Sequence, residues 1–236
     1  MKVFIVHAHP EPHSFNGAMT RQAKEVLTAH GHPVVVSDLY TLHWNPVSGR
    51  HNFTTVADPS YFSQQAEEAH ASLHDGFADD IEAELEKLEW CDVLVLQFPL
   101  WWFGLPAILK GWVERVFVMG RVYEVGRWYD RGVFAGKRAM LALTTGGPPG
   151  IYAEDGLNGP LDRILFPVQH GVLYFTGFTV VPPFVAWSPA GVDDNERARY
   201  LREYGERLLQ VQDLAPIPFA GLDAFDPDTL RRRAGG

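Results

Sequence analysis

The 236-residue sequence predicts an α/β fold, a doubly wound five-stranded parallel sheet with helices on both faces and an extended C-terminal tail. Three observations predict it. Strand-like apolar runs alternate with segments whose apolar residues recur at helical spacing. Strands separated by helices imply right-handed crossovers and therefore a parallel sheet. Five strands and five helices suit the strand order 2-1-3-4-5.

Residues 3–6 form the first strand, a short continuous apolar run. A helix follows from residue 16 to about residue 30, with Ala18, Met19, Ala23, Val26 and Leu27 on one face and Gly31 just past its end. Residues 34–36 are the second strand. Residues 79–89 make a helix carrying Ile81, Leu85 and Leu88. The third strand is 93–96, and the helix at 107–118 has Ile108, Leu109, Trp112, Val113, Val116 and Phe117 at helical spacing. A fourth strand at 138–143, a helix at 157–169, a fifth strand at 173–181 and a helix at 195–210 complete the pattern. Residues 43–77 are a long excursion with mixed signals, and a loop of that length is more often functional or partner-covering than empty. Residues 1–212 read as one domain. The tail 213–236 is rich in proline and glycine, and little regular structure is expected in it.

Composition narrows the function. Hydrophobic residues make up 46% and charged residues 21%, as in an ordinary globular protein. The formal net charge of −9 argues against nucleic-acid binding. The one basic run, Arg231-Arg232-Arg233, reads as a solvated tail. Cys91 is the sole cysteine, so intramolecular disulfides are impossible, and it reads as a small core residue. No run approaches a membrane span and no leader-like segment opens the sequence, so a cytoplasmic protein without membrane insertion is expected.

Three loops at the carboxyl ends of predicted strands carry the chemistry. The first runs from His7 to Gly17 and leads into a helix N-terminus, where free N–H groups and a partial positive charge favour an anion. His9, Ser14 and Asn16 can add donors for a phosphate. Plain N-capping by Ser14 is compatible with that role. A metal is a weaker alternative for His7, His9 and His13, because no carboxylate or cysteine cluster accompanies them, and no metal is expected. The second loop, Phe98 to Pro106, places Trp101, Trp102 and Phe103 on the end of a buried strand, where a crevice is expected rather than core. Pro99 and Pro106 stiffen it, leaving amides near Trp102 and Phe103 free for a flavin N5 edge; an aromatic mini-core is the bland alternative. The third, Thr144 to Tyr152, holds Gly146 and Gly147, whose amides can approach a flat ring edge. Donors there would stabilise negative charge on a reduced flavin, although a simple Pro/Gly turn has the same composition. Together the three loops point to a flavin.

These residues resemble those of the NAD(P)H:quinone oxidoreductase (DT-diaphorase) family of flavodoxin-like flavoproteins, and more closely its FAD-containing members. The resemblance rests on Gln97-Phe98-Pro99-Leu100, on Trp102-Phe103-Gly104, on the run from Pro106 to Trp112, and on Thr144-Thr145-Gly146-Gly147 followed by Tyr152. Ala8-His9, Ser14-Phe15-Asn16, Ser37-Asp38-Leu39-Tyr40, Asn45-Pro46 and Tyr129-Asp130 are weaker matches. It implies a homodimer that takes hydride from NADH or NADPH onto FAD and reduces quinones by a ping-pong cycle. His9, Ser14, Phe15 and Asn16 would hold the diphosphate. Pro99, Leu100, Trp102 and Phe103 would line the ring, and Thr145, Gly146, Gly147 and Tyr152 would lie on its pyrimidine side. Trp102 and Phe103, with Tyr123, Trp128, Phe175 and Phe178 across the dimer interface, would wall the substrate pocket. Tyr152 and Asn158 are the expected catalytic residues.

The sequence departs from the family in two ways. Asn158 stands where many members have a histidine, so a hydrogen bond replaces a proton relay. Trp101 replaces a polar residue, and the segment 120–132 is one residue shorter than in the mammalian pattern. Alternatives within the fold are an FMN-dependent azoreductase or nitroreductase and a regulatory subunit of a potassium-efflux system. Fold alone does not separate them.

Overall fold

The computed structural model describes residues 1–233. Its sheet is parallel throughout and runs β2-β1-β3-β4-β5, the expected order, with β1 at Val3–His7, β2 at Val34–Asp38, β3 at Val93–Pro99, β4 at Arg138–Thr145 and β5 at Thr179–Val180. A further strand, β6 at Phe184–Trp187, also pairs with β4. The sheet is thus six-stranded, because the fifth position is split in two. Pro182 and Pro183 lie between β5 and β6 and have no N–H to give to the ladder. Pairing to β4 stops at Ala139↔Val180 and resumes at Ala142↔Phe184.

Alternation along the strands divides the core. Phe4, Val6, Leu94, Leu96, Phe98, Leu141 and Leu143 face one side, where α3 (Asp79–Trp90), α4 (Ala107–Val116) and α5 (Leu161–Val168) cover them. Val3, Ile5, Val93, Val95, Met140 and Ala142 face the other, under α1 (Phe15–Ala29) and α6 (Asp194–Leu209). Cys91 is buried, and desolvation pushes its thiol up to about 11, consistent with a core role.

The predicted strand at 173–181 is corrected. Leu173 lies in a π-helical turn, Gln169–Tyr174, that prolongs α5, and only Thr179–Val180 is strand. A short apolar run does not by itself distinguish a buried helix from a buried strand. Pro167, inside α5, lacks the N–H that regular α-helical bonding requires, and the wider turn begins just beyond it. The excursion holds one 3₁₀ turn and a helix, α2 (Gln64–His74), which turns Glu67, Glu68 and Ala71 inward. Buried Arg115 ties the excursion to α4, donating to Asn52 Oδ1 at 2.8 Å and to the Asn45 carbonyl at 3.0 Å. The tail folds back on the domain: Ile217 N donates to Val180 O at 2.8 Å and Tyr174 Oη donates to Ala220 O at 3.1 Å. Among the described residues of the tail the only helix is a 3₁₀ turn at Leu222–Ala224.

Candidate active site

β1, β3 and β4 end side by side, with His7 in register with Gln97 and Pro99 with Thr144. The loops that follow them therefore meet at one edge of the sheet, the crevice side of an open α/β fold.

After β1, Ser14 caps α1 by accepting from Gly17 N at 3.1 Å. His9 Nδ1 accepts from Glu11 N at 3.0 Å, so in the neutral ring the proton is on Nε2, ready to donate outward. Asn16 is buried; its Nδ2 donates to Thr144 Oγ1 at 2.8 Å, while its Oδ1 has no partner among the described residues. A concavity of about 440 Å³ lies over this turn, lined by His9, Ser14, Phe15, Asn16, Thr144 and Arg197. The sequence reading missed Arg197. Its guanidinium is held by Asp194 and by the carbonyls of Pro189 and Val192, in the segment that follows β6. Nothing near Arg197 in the chain suggests that it faces the β1 turn, so only the packing of α6 on α1 reveals it.

After β3 the chain makes a two-residue hairpin, with Trp101 and Gly104 exchanging both backbone hydrogen bonds at 3.0 and 3.3 Å. Trp102 (φ 50°) and Phe103 (φ 58°) occupy its two left-handed positions. Such a turn favours Asn and Gly. Two aromatics there carry strain of order 1–3 kcal/mol each, the kind of local cost found at ligand clamps. Trp102 is 97% exposed, and the N–H groups of Trp102 and Phe103 have no partner among the described residues. The third aromatic, Trp101, packs near His9 with ring centroids 6.0 Å apart, joining the first two loops. Leu100 N donates to Thr144 O at 2.8 Å and so joins the second loop to the third.

After β4, Thr145 Oγ1 donates to Gly147 O at 2.8 Å and Ser188 Oγ to Gly146 O at 3.1 Å, which fixes the loop. No atom lies within 4 Å of where a Cβ on Gly146 would stand, so its backbone is open to an approaching ring edge. Tyr152 stacks near Trp187 at 5.6 Å. Asn158 N donates to Ile151 O at 2.8 Å, which brings Asn158 back beside the Tyr152 turn. Gly156 permits that return, since a Cβ there would stand 2.5 Å from Gly150 O.

The wall residues stand apart. Tyr123 and Trp128 pack on Phe175 at 5.8 and 6.3 Å, beside a cavity of about 320 Å³ that the tail closes with Leu222 and Phe225. Among the described residues no ring contact within one chain joins them to the three loops. Phe178 is corrected: it is 0% exposed and stacks on Phe134 at 4.7 Å in the core, so it walls no pocket. The tail lies along β5 and α5, where Phe219 meets Phe166 at 6.2 Å. Among the described residues no cluster of three or more His, Cys, Asp or Glu is arranged to hold a metal, and no helix is long and apolar enough to cross a membrane.

The donors of the β1 turn and the open glycine edge together fit an anionic group attached to a flat ring. Comparison with known proteins agrees. A family described as Flavodoxin-like fold matches residues 1–208. The NAD(P)H dehydrogenase [quinone] 1 of Cavia porcellus is 40% identical, over 95% of this chain and 82% of its own length. The ribosyldihydronicotinamide dehydrogenase-like protein traD of Penicillium crustosum is 41% identical, over 93% and 84%. A crystal structure described as a quinone reductase from Klebsiella pneumoniae superposes with a TM-score of 0.92 at 38% identity, covering 99% of this chain and 94% of that one. By its fold, its three loops and its relatives, the chain belongs to the flavodoxin-like family of NAD(P)H:quinone oxidoreductases.

Proposed function

We propose that this chain is a flavin-dependent quinone reductase that uses FAD. The observation that carries the proposal is the meeting of an anion cradle, a strained aromatic turn and an open glycine edge along one side of the sheet. His9 Nε2, Ser14, the first amides of α1 and Arg197 would hold the diphosphate. Positive and donor groups from both α1 and α6 suit two phosphates better than one, which favours FAD over FMN. Pro99, Leu100, Trp102 and Phe103 would line the ring, and Thr145, Gly146 and Gly147 would meet its pyrimidine edge.

Bound there, the flavin would supply hydride acceptance and two-electron delivery. The chain's own residues orient and stabilise. The Tyr152 hydroxyl and the Asn158 amide would hydrogen-bond negative charge at the pyrimidine edge and at a quinone oxygen. Asn158 donates but does not relay a proton, so no Tyr–His exchange is part of the scheme. Donor and acceptor would stack in turn on one face beside Trp102 and Phe103, which predicts ping-pong kinetics with parallel double-reciprocal lines.

Trp102 and Phe103 lie open in the single chain. We assign the missing wall to Tyr123, Trp128 and Phe175 of a second copy, making the active form a homodimer. Sedimentation of the flavin-loaded protein checks this, and a monomer with full turnover would refute it.

The main experiment is the absorbance spectrum of the purified protein, followed by anaerobic reductant and then benzoquinone. Yellow protein that bleaches and recovers, and that releases FAD on denaturation, supports the cycle. Released FMN favours the azoreductase-like reading. A flavin-loaded protein with no turnover that binds another protein favours the regulatory one. NADH, NADPH and ribosyldihydronicotinamide are the reductants to compare, the last because the fungal relative's name carries it.

A further inference from the structure

Gln97 opens one of the runs on which the family resemblance rests, yet it has no role in the proposed cycle. It is 0% exposed in a strand that is otherwise apolar. Alternation puts it on the α1/α6 face, beneath the cradle, where both ends of its amide are satisfied. Tyr204 Oη, from α6 and also 0% exposed, donates to Gln97 Oε1 at 2.9 Å. Gln97 Nε2 donates to the Asn16 carbonyl at 2.7 Å and to Thr20 Oγ1 at 2.5 Å, both on α1. His7 Nδ1 lies 3.0 Å from Thr20 Oγ1 and 3.2 Å from Gln97 Nε2.

The two ends of the amide are not interchangeable. The Tyr204 hydroxyl is a donor, and burial pushes its pKa far up, so it remains one. A hydroxyl can also accept, so the orientation with Oε1 toward α6 and Nε2 toward α1 is chosen at the α1 end, by the Asn16 carbonyl, which only accepts. The reversed amide would set Oε1 against the Asn16 carbonyl, two acceptors face to face. Asn16 is the residue whose side chain bonds Thr144 and lines the cradle. On α6, Arg197 lies seven residues, or two turns, before Tyr204 and so on the same face. Both helices that build the cradle are thus joined through one amide.

We propose that Gln97 and Tyr204 are positioning residues for the phosphate cradle: the buried Tyr204–Gln97–Asn16 tie sets how α1 and α6 meet the cofactor's diphosphate. This rests on the flavin reading of the site.

The test titrates apoprotein with FAD and with riboflavin, which carries the ring without phosphates, following flavin fluorescence. Tyr204→Phe removes one hydroxyl and leaves Gln97 Oε1 a buried acceptor without its donor. It is expected to raise the FAD dissociation constant about tenfold, the scale of one orphaned buried acceptor, and to leave riboflavin within about twofold of the wild type. Thr20→Val, at a half-buried position, should show the same selective loss if Tyr204→Phe does not fold. Unchanged FAD affinity, or equal losses for FAD and riboflavin, would overturn the tie. Wild-type protein that binds neither ligand would overturn the flavin reading itself.

Discussion

Arg115→Met should loosen the long excursion without destroying the sheet. Arg115 is 1% exposed on α4, and its guanidinium lies 4.5 Å from the centre of the Trp44 ring. It bonds Asn52 Oδ1, the Asn45 carbonyl and, at 2.8 Å, Asp80 Oδ2. The substitution keeps the apolar stem and removes the charge. Asn52, 1% exposed, then holds a buried acceptor without its donor, at a cost of about 1–3 kcal/mol. The Asn45 carbonyl and the cation over Trp44 add roughly 1 kcal/mol each. The Asp80 pair adds little, since Asp80 is 47% exposed and screened. Relief of guanidinium desolvation offsets part of the total. A net loss of about 2–4 kcal/mol follows, or about 4–8 °C in Tm at roughly 2 °C per kcal/mol for a chain of this size. Urea unfolding of the flavin-free protein measures it. Hydrogen exchange should quicken at Ala78 N, which donates to Asn52 O at 2.9 Å. In the double variant with Asn52→Leu, part of the loss should return, because the orphaned oxygen is gone. A midpoint within about 0.5 kcal/mol of the wild type, or a double variant with fully additive losses, would refute the reasoning.

Trp102→Asn keeps the left-handed turn at lower strain but removes an aromatic face; kcat/KM for a benzoquinone should fall by about threefold to tenfold, the scale of one stacking contact, while the backbone turn survives in NMR. Tyr152→Phe should lower kcat and leave the FAD dissociation constant nearly unchanged, because the hydroxyl and not the ring is assigned to charge stabilisation; stopped-flow measurement of both half-reactions checks it. Burial holds the His7 imidazole below its ordinary value near 6.5, against the opposing pull of Asp38, with His9 and Arg21 adding to the depression. The fold therefore keeps His7 neutral while the unfolded chain takes up a proton. Its contribution is present above about pH 6.5, is lost as pH falls toward the folded value, and is flat below that, so urea midpoints should decline from pH 7 downward, less steeply in His7→Gln. Gly156→Ala should cost activity and stability together, since the added Cβ meets backbone at 2.5 Å; thermal unfolding and turnover of one preparation measure both.

Much of the fold was legible because its signals are local. Continuous apolar runs at β1, β3 and β4, and helical spacing in α1, α3, α4 and α6, lie within windows of a few residues to a dozen. The three loops follow from strand order, because parallel strands bring their carboxyl ends to one edge. Less was legible where a local pattern had two solutions. The run through Leu173 reads equally as strand or helix, and Phe178, which the resemblance implied for a pocket wall, is core. α2 was lost in the excursion because Glu67 and Glu68 face inward: Glu67 accepts from the amides of Ala57 and Asp58, and Glu68 from that of Met119. Polar residues on an inner face erase the amphipathic signal that marks a helix.

By itself the sequence determined the class of fold, the order of the strands, the family and the three loops that form the candidate site. Only the tertiary structure decided which side chains share that site. Asn16 meets Thr144 across 128 positions and Gln97 meets Tyr204 across 107. Arg197 reaches the cradle from α6, and Tyr123, Trp128 and Phe175 gather away from it. The physical reason is range. Periodicity and turn chemistry act between near neighbours in the chain, whereas the partner of a buried amide is set by how whole helices pack on the sheet.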